Sequence, residues 1–128
     1  MIVVDTSVWV NALRSTASRE AAIVGQLLDS DEVALAIPVR VELLSGASKS
    51  DRIRLRRALS ALPVLYPSDE TWRLIDTWVD TAGAAGQRFG LGDLLIAALA
   101  RESGSLTWSL DADFTRMSQL GFVDRYEP

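Results

Sequence analysis

Short apolar runs alternate with helix-like stretches along the whole chain, and that alternation constrains the fold more than any other feature. Strand-like segments fall at about 2–5, 33–37, 63–66 and 105–109, with a further apolar pair at 122–123. Helical patterns lie between them at about 7–13, 18–28, 38–46, 51–62, 68–83, 94–102 and 111–120. Pro38 suits a first helical position and Gly46 a helix stop. Strands alternating with helices predict an α/β fold with a mainly parallel central sheet of four to five strands. The 128 residues are expected to form one domain with a single core. Ala82 to Gly92 carries four glycines and is expected to be the loosest loop.

Composition removes several kinds of chemistry. The chain has no Cys, which excludes disulfides and thiolate metal sites and fits a reducing, cytoplasmic setting. It has no His, which excludes Ser-His-Asp and Cys-His catalysis and nearly every ordinary zinc site. No apolar run approaches the roughly 18 residues of a membrane span. Met1 runs straight into the first strand, so no signal peptide is expected. The net charge of −4 argues against a general polyanion binder. It is uneven, however: Lys49, Arg52, Arg54, Arg56 and Arg57 lie within nine positions.

Four acids fall where such a fold places its ligands. Asp5 follows Ile2-Val3-Val4, and Asp111 follows Ser105 to Leu110. Glu42 sits in the helix opened by Pro38, and Asp93 opens the apolar helix Leu94 to Ala100. In a parallel sheet all four reach the carboxyl edge of the strands, where ligands bind at the point of strand-order reversal. Taken singly, each has a structural explanation. Asp5 and Asp111 fit helix N-caps, Asp93 and Asp113 fit first-turn acids, and Glu42 fits the solvent side of a helix.

Taken together they are harder to explain that way. Two unit charges ~6 Å apart at an effective dielectric of ~20 repel by about 3 kcal/mol. Four acids make six such pairs, more than the roughly 5–15 kcal/mol by which a domain is stable. Either protons stay on or a cation joins the cluster. Oxygen-only ligands select hard ions, Mg²⁺ or Mn²⁺, over zinc. Mg²⁺ is commonly shared between carboxylates and a substrate phosphate, which points to phosphoester hydrolysis by a metal-activated water.

The same residues carry a family resemblance. Ile2-Val3-Val4-Asp5-Thr6-Ser7-Val8-Trp9-Val10 resembles the opening strand and turn of PIN-domain ribonucleases, especially the VapC-type toxins of bacterial toxin–antitoxin modules. Val41-Glu42-Leu43-Leu44-Ser45-Gly46, Asp93 to Ala100, and Ser109-Leu110-Asp111-Ala112-Asp113-Phe114 are similar to the second, third and fourth motifs of that family. The resemblance implies a three-layer α/β/α fold and Mg²⁺- or Mn²⁺-dependent endoribonuclease activity. It also implies a homodimer, an RNA substrate, and inhibition by a cognate VapB-type antitoxin whose C-terminal tail brings a basic residue to the acids. Asp5, Glu42, Asp93 and Asp111 become the expected catalytic and metal-binding set, with Asp5 and Asp93 as direct ligands. Asp113 is an added candidate ligand. Ser7, or Thr6 in its place, and Ser109 are expected to support the site or simply to cap helices.

Other features stay open. Arg52, Arg54, Arg56 and Arg57 read either as a solvated helix face or as a surface contacting RNA or antitoxin. Trp72 and Trp78 are expected in the core, and Trp9 in the core or a groove. Arg40 carries no assignment. Two rival functions compete with the nuclease. A receiver-like phosphoacceptor domain would need an acidic pair after the first strand and a late Lys, and this chain has neither. A PIN fold that binds RNA or a partner with weak catalysis fits the same sequence.

Overall fold

The structure is a computed structural model covering residues 1–128. Its elements run β1 (Ile2–Val4), α1 (Thr6–Arg14), α2 (Arg19–Asp29), β2 (Val33–Ala36), α3 (Ile37–Ser45), α4 (Lys49–Leu59), β3 (Val64–Leu65), α5 (Asp69–Ala84), α6 (Leu91–Glu102), β4 (Leu106–Trp108) and α7 (Ala112–Gln119). The four strands form one parallel sheet in the order β3-β2-β1-β4. Ile2 lies beside Val33 on one side and Leu106 on the other. Helices cover both faces, giving the three-layer α/β/α arrangement. β1 and β2 are buried along their whole length, which is why they read as unbroken apolar runs.

Helix starts follow local chemistry. The side chains of Asp5, Ser18, Ser48 and Asp111 accept backbone N–H groups at the starts of α1, α2, α4 and α7. Each satisfies a donor that the first turn leaves without an intrahelical partner. α3 has no side-chain cap and relies on Pro38 in its first turn. The Ser48 cap moves the start of α4 to Lys49, and the helix ends at Leu59, three residues before the expected Leu62.

The core holds 29 buried apolar residues, from β1 and β2 through α6 to Phe122 and Val123. Two expectations need correction here. Phe122-Val123 forms no fifth strand. Phe122 instead stacks on Trp78, with ring centroids 4.3 Å apart, so the pair serves side-chain packing rather than a ladder. Just beyond it, the Asp124 carbonyl accepts from the Thr107 N–H and the Tyr126 N–H donates to the Thr107 carbonyl, both at 2.8 Å, making a single bridge at the edge of β4. Trp72 is not in the core; it lies on the outer side of α5, 46% exposed. Trp78 and Trp9 are buried as expected.

The glycine-containing stretch 82–92 is a loop over 85–90 with a helix at each end. Its first part completes α5 and its last two residues open α6. Gly86 takes a positive φ of 69°, the backbone turn that a side chain disfavours. Phe89 then anchors the segment: it is buried and meets Phe122 edge-on at 6.2 Å.

Candidate active site

The order β3-β2-β1-β4 means that the chain steps outward from β1 and later returns to β1's other side. The reversal therefore lies between β1 and β4, and the carboxyl ends of those two strands open the crevice. The Asp5 N–H donates to the Trp108 carbonyl at 2.8 Å, which ties the end of one strand to the other. Asp5 itself is buried, at 4% exposure.

Two serines fix its side chain. Ser7 Oγ and Ser109 Oγ each donate to Asp5 Oδ2 at 2.7 Å. Ser7 Oγ in turn accepts the Leu110 N–H at 3.0 Å, and Ser109 Oγ accepts the Asp111 N–H at 2.9 Å. Both hydroxyls thus link the Asp5 carboxyl to the loop after β4. The hydrogen bonds to the Asp5 side chain all fall on this one oxygen, Oδ2, and none falls on Oδ1.

Asp93 projects from the first turn of α6, and Asp111 and Asp113 from the start of α7. One carboxyl oxygen of each lies within 4.8 Å of the others. Asp111 Oδ1 accepts the Asp113 N–H at 2.9 Å, so its capping role orients the group rather than competing with a site. Asp113 is bound by the guanidinium of Arg116. That guanidinium also donates to Gln87 Oε1 at 2.6 Å and stands 5.2 Å over the Phe89 ring. Gln87 and Arg116 drew no attention in the sequence. The Asp113–Arg116 spacing of one helical turn was the only available signal, and helices carry such pairs commonly.

The electrostatics record the crowding. Burial pushes the Asp93 carboxyl up to about 7, helped by the charges of Asp5, Asp111, Asp113 and Glu42. Glu42 is also raised, first by burial and then by Asp5. Thr6 lies beside Glu42 and opposes that rise, the smallest of the three effects. Glu42 and Gly92 come close: a Cβ on Gly92 would stand 3.8 Å from Glu42 Oε1. The structure therefore gathers Asp5, Glu42, Asp93, Asp111 and Asp113 into one negative cleft, with Asp93 at its electrostatic centre. The tightest oxygen set is Asp93, Asp111 and Asp113. An all-carboxyl, partly desolvated set in which Asp93 is pushed up by its neighbours fits a hard divalent cation.

The sequence profile of the PIN domain matches residues 2–120. The chain belongs to the PIN domain family. Its relatives include ribonuclease VapC11 of Mycobacterium tuberculosis, 34% identical over 94% of this chain and 93% of that one. Ribonuclease VapC18 of the same organism is 30% identical over 91% and 87% of the two chains. Among solved structures, VapBC-1 from nontypeable Haemophilus influenzae superposes with a TM-score of 0.79 at 22% identity, covering 99% of this chain and 98% of its own.

In this PIN domain the arginines of α4 have different surroundings. Arg54 pairs with Asp51 at 2.6 Å and lines a groove with Val10, Leu13 and Glu42. Arg52 and Arg56 face a different concavity, with Lys49. Arg57 is exposed and lines neither.

Proposed function

We propose that this PIN domain is a VapC-type toxin: an endoribonuclease that hydrolyses RNA phosphodiester bonds with Mg²⁺ or Mn²⁺ and is held in check by a VapB-type antitoxin. The observation that carries the reading is the convergence of five carboxyls on a cleft where Asp93 is pushed up to about 7. The family and the VapC ribonucleases among the relatives support the substrate class. The solved VapBC complexes support the antitoxin. Cytoplasmic action and a homodimer belong to the same proposal. No helix is long and apolar enough to cross a membrane.

Asp93, Asp111 and Asp113 would hold the ion, with Asp5 and Glu42 beside them. When bound, a divalent cation supplies neutralisation of phosphoryl charge and acidification of water. The chain's own contribution is positional. Ser7 and Ser109 hold Asp5 by its Oδ2, which leaves Oδ1 without a hydrogen-bond partner in the protein. The Asp111 cap and the Arg116 contact fix the two acids of α7. Glu42, raised by burial and then by Asp5, holds a proton more readily than an ordinary carboxyl and is suited to exchange one with a reacting group.

The test is cleavage of RNA by purified protein in Mg²⁺ and in EDTA, comparing wild type with Asp5→Asn and Asp93→Asn. We expect EDTA to stop cleavage and each variant to lose on the order of 100-fold in rate while staying folded. Undiminished cleavage by Asp93→Asn would overturn the assignment. RNA retained in both buffers but never cut would instead favour a binding module.

A further inference from the structure

We propose that Lys49, Arg52 and Arg56, facing Ser45, bind the phosphate backbone of single-stranded RNA as it leaves the acidic cleft. This inference rests on the ribonuclease reading and adds to it a backbone subsite.

Leu44 and Ser45 at the end of α3 and Lys49, Arg52, Ile53 and Arg56 on α4 line a shallow concavity of about 470 Å³. Positions 49, 52 and 56 are spaced three and four apart, so their side chains lie on one side of the helix. No carboxyl lines the concavity. None of the three cations is in an ion pair, whereas Arg54, aimed elsewhere, is paired with Asp51. Arg56 in the last turn of α4 suits the helix dipole, but Lys49 and Arg52 near its start oppose it, so those two are not explained by the stability of α4. On a chain of net charge −4, three unneutralised cations around a hollow make a local exception that suits an anion.

Continuity along α3 favours RNA over an acidic protein segment. Glu42 lies in the acidic cleft and Ser45 is one turn further along the same helix. A nucleic acid strand seated at the acids therefore reaches this wall through its neighbouring phosphates. Ser45 offers a hydroxyl donor, and the exposed Ile53 an apolar flank for a sugar. Contacts of this kind set affinity and register and carry no sequence information.

The experiment compares wild type with Lys49→Gln/Arg56→Gln, both exposed positions, on the full chain. Binding of a labelled single-stranded RNA is measured by anisotropy in EDTA across a KCl series, and cleavage in Mg²⁺. We expect Kd to rise about tenfold near 0.1 M salt and the slope of log affinity against log salt to shrink by about 1.4, for two phosphates at ~0.7 each. In cleavage, KM rises by the same factor and kcat is unchanged. If melting shows the double variant unfolded, Arg56→Gln alone is read, with about half the slope change. Wild type that neither binds nor cuts RNA sinks the ribonuclease reading itself. Wild type that does both, beside a variant with unchanged affinity and slope, overturns this subsite alone. A variant that keeps RNA but loses an antitoxin gives the face to a protein and also overturns it.

Discussion

Ser109 Oγ donates a hydrogen bond of 2.7 Å to Asp5 Oδ2 across 104 positions of sequence. The contact joins the two strands that flank the strand-order reversal, and with Ser7 it leaves Asp5 a single orientation. Hydrogen-bond partners that orient the acids of a metal site typically matter about 10–100-fold for metal affinity or activity. Ser109→Ala should therefore lower RNA cleavage by roughly tenfold or more. The loss should exceed that of Ser109→Thr, which keeps the hydroxyl. Equal rates for Ala and Thr would show that the bond does not act on the chemistry.

Asp93 makes the metal-free fold sensitive to pH. Its folded pKa is raised to about 7, so the stability it contributes is present in acid and lost as pH climbs from about 4 through 7. Glu42 shifts in the same direction. After discounting for partial exposure, Asp93 should cost about 1–2 kcal/mol at pH 7.5. Without metal, Asp93→Asn should melt higher than wild type at pH 7.5 and about equal at pH 4. Saturating Mg²⁺ should remove that advantage by stabilising wild type. A wild-type melting temperature that does not fall between pH 5 and 7.5 would contradict this.

Arg116 is a positioning residue for Asp113. Its guanidinium bridges Asp113 to Gln87 and covers Phe89, so it ties the turn before α6 to the start of α7. Arg116→Ala should weaken Mg²⁺ or Mn²⁺ binding about tenfold by calorimetry. Arg116→Lys should rescue little, because an ammonium lacks the fork that reaches two acceptors at once. Full rescue by Lys would reduce the role to simple charge.

The Trp78–Phe122 stack supports the site from behind, because Phe122 also meets Phe89. Phe122→Ala should destabilise the protein by about 3–5 kcal/mol in urea unfolding. It should also loosen residues 85–90 first, seen as faster amide exchange at Gln87, whose N–H donates to the Ala82 carbonyl. Uniform loss of protection across the chain would argue against that local link.

Much of this was legible in the sequence, for reasons that differ by element. β1 and β2 are buried on both faces, so their apolar runs ended cleanly at Asp5 and at Pro38. The acids were visible because strand ends and helix starts are marked by the same residues that the cleft uses. Trp72 was misplaced because an aromatic on a helix fits the apolar pattern whichever way it points. Phe122-Val123 resembled a strand because a short apolar pair fits a packed turn equally well. The glycines of 82–92 suggested looseness, but Phe89 and Gln87 are held by contacts distant in sequence. Arg116 acquires its role only when α7 is folded against that turn, which no local pattern encodes.

The bridge at Thr107 has a consequence for how this molecule meets others. Residues 124–126 occupy hydrogen-bonding groups on one margin of the sheet, and the opposite margin is β3, only two residues long. Little free ladder remains for a foreign strand to extend. A companion polypeptide must therefore dock through helices and clefts, and zipper-like growth into fibrils finds no starting template on the native surface.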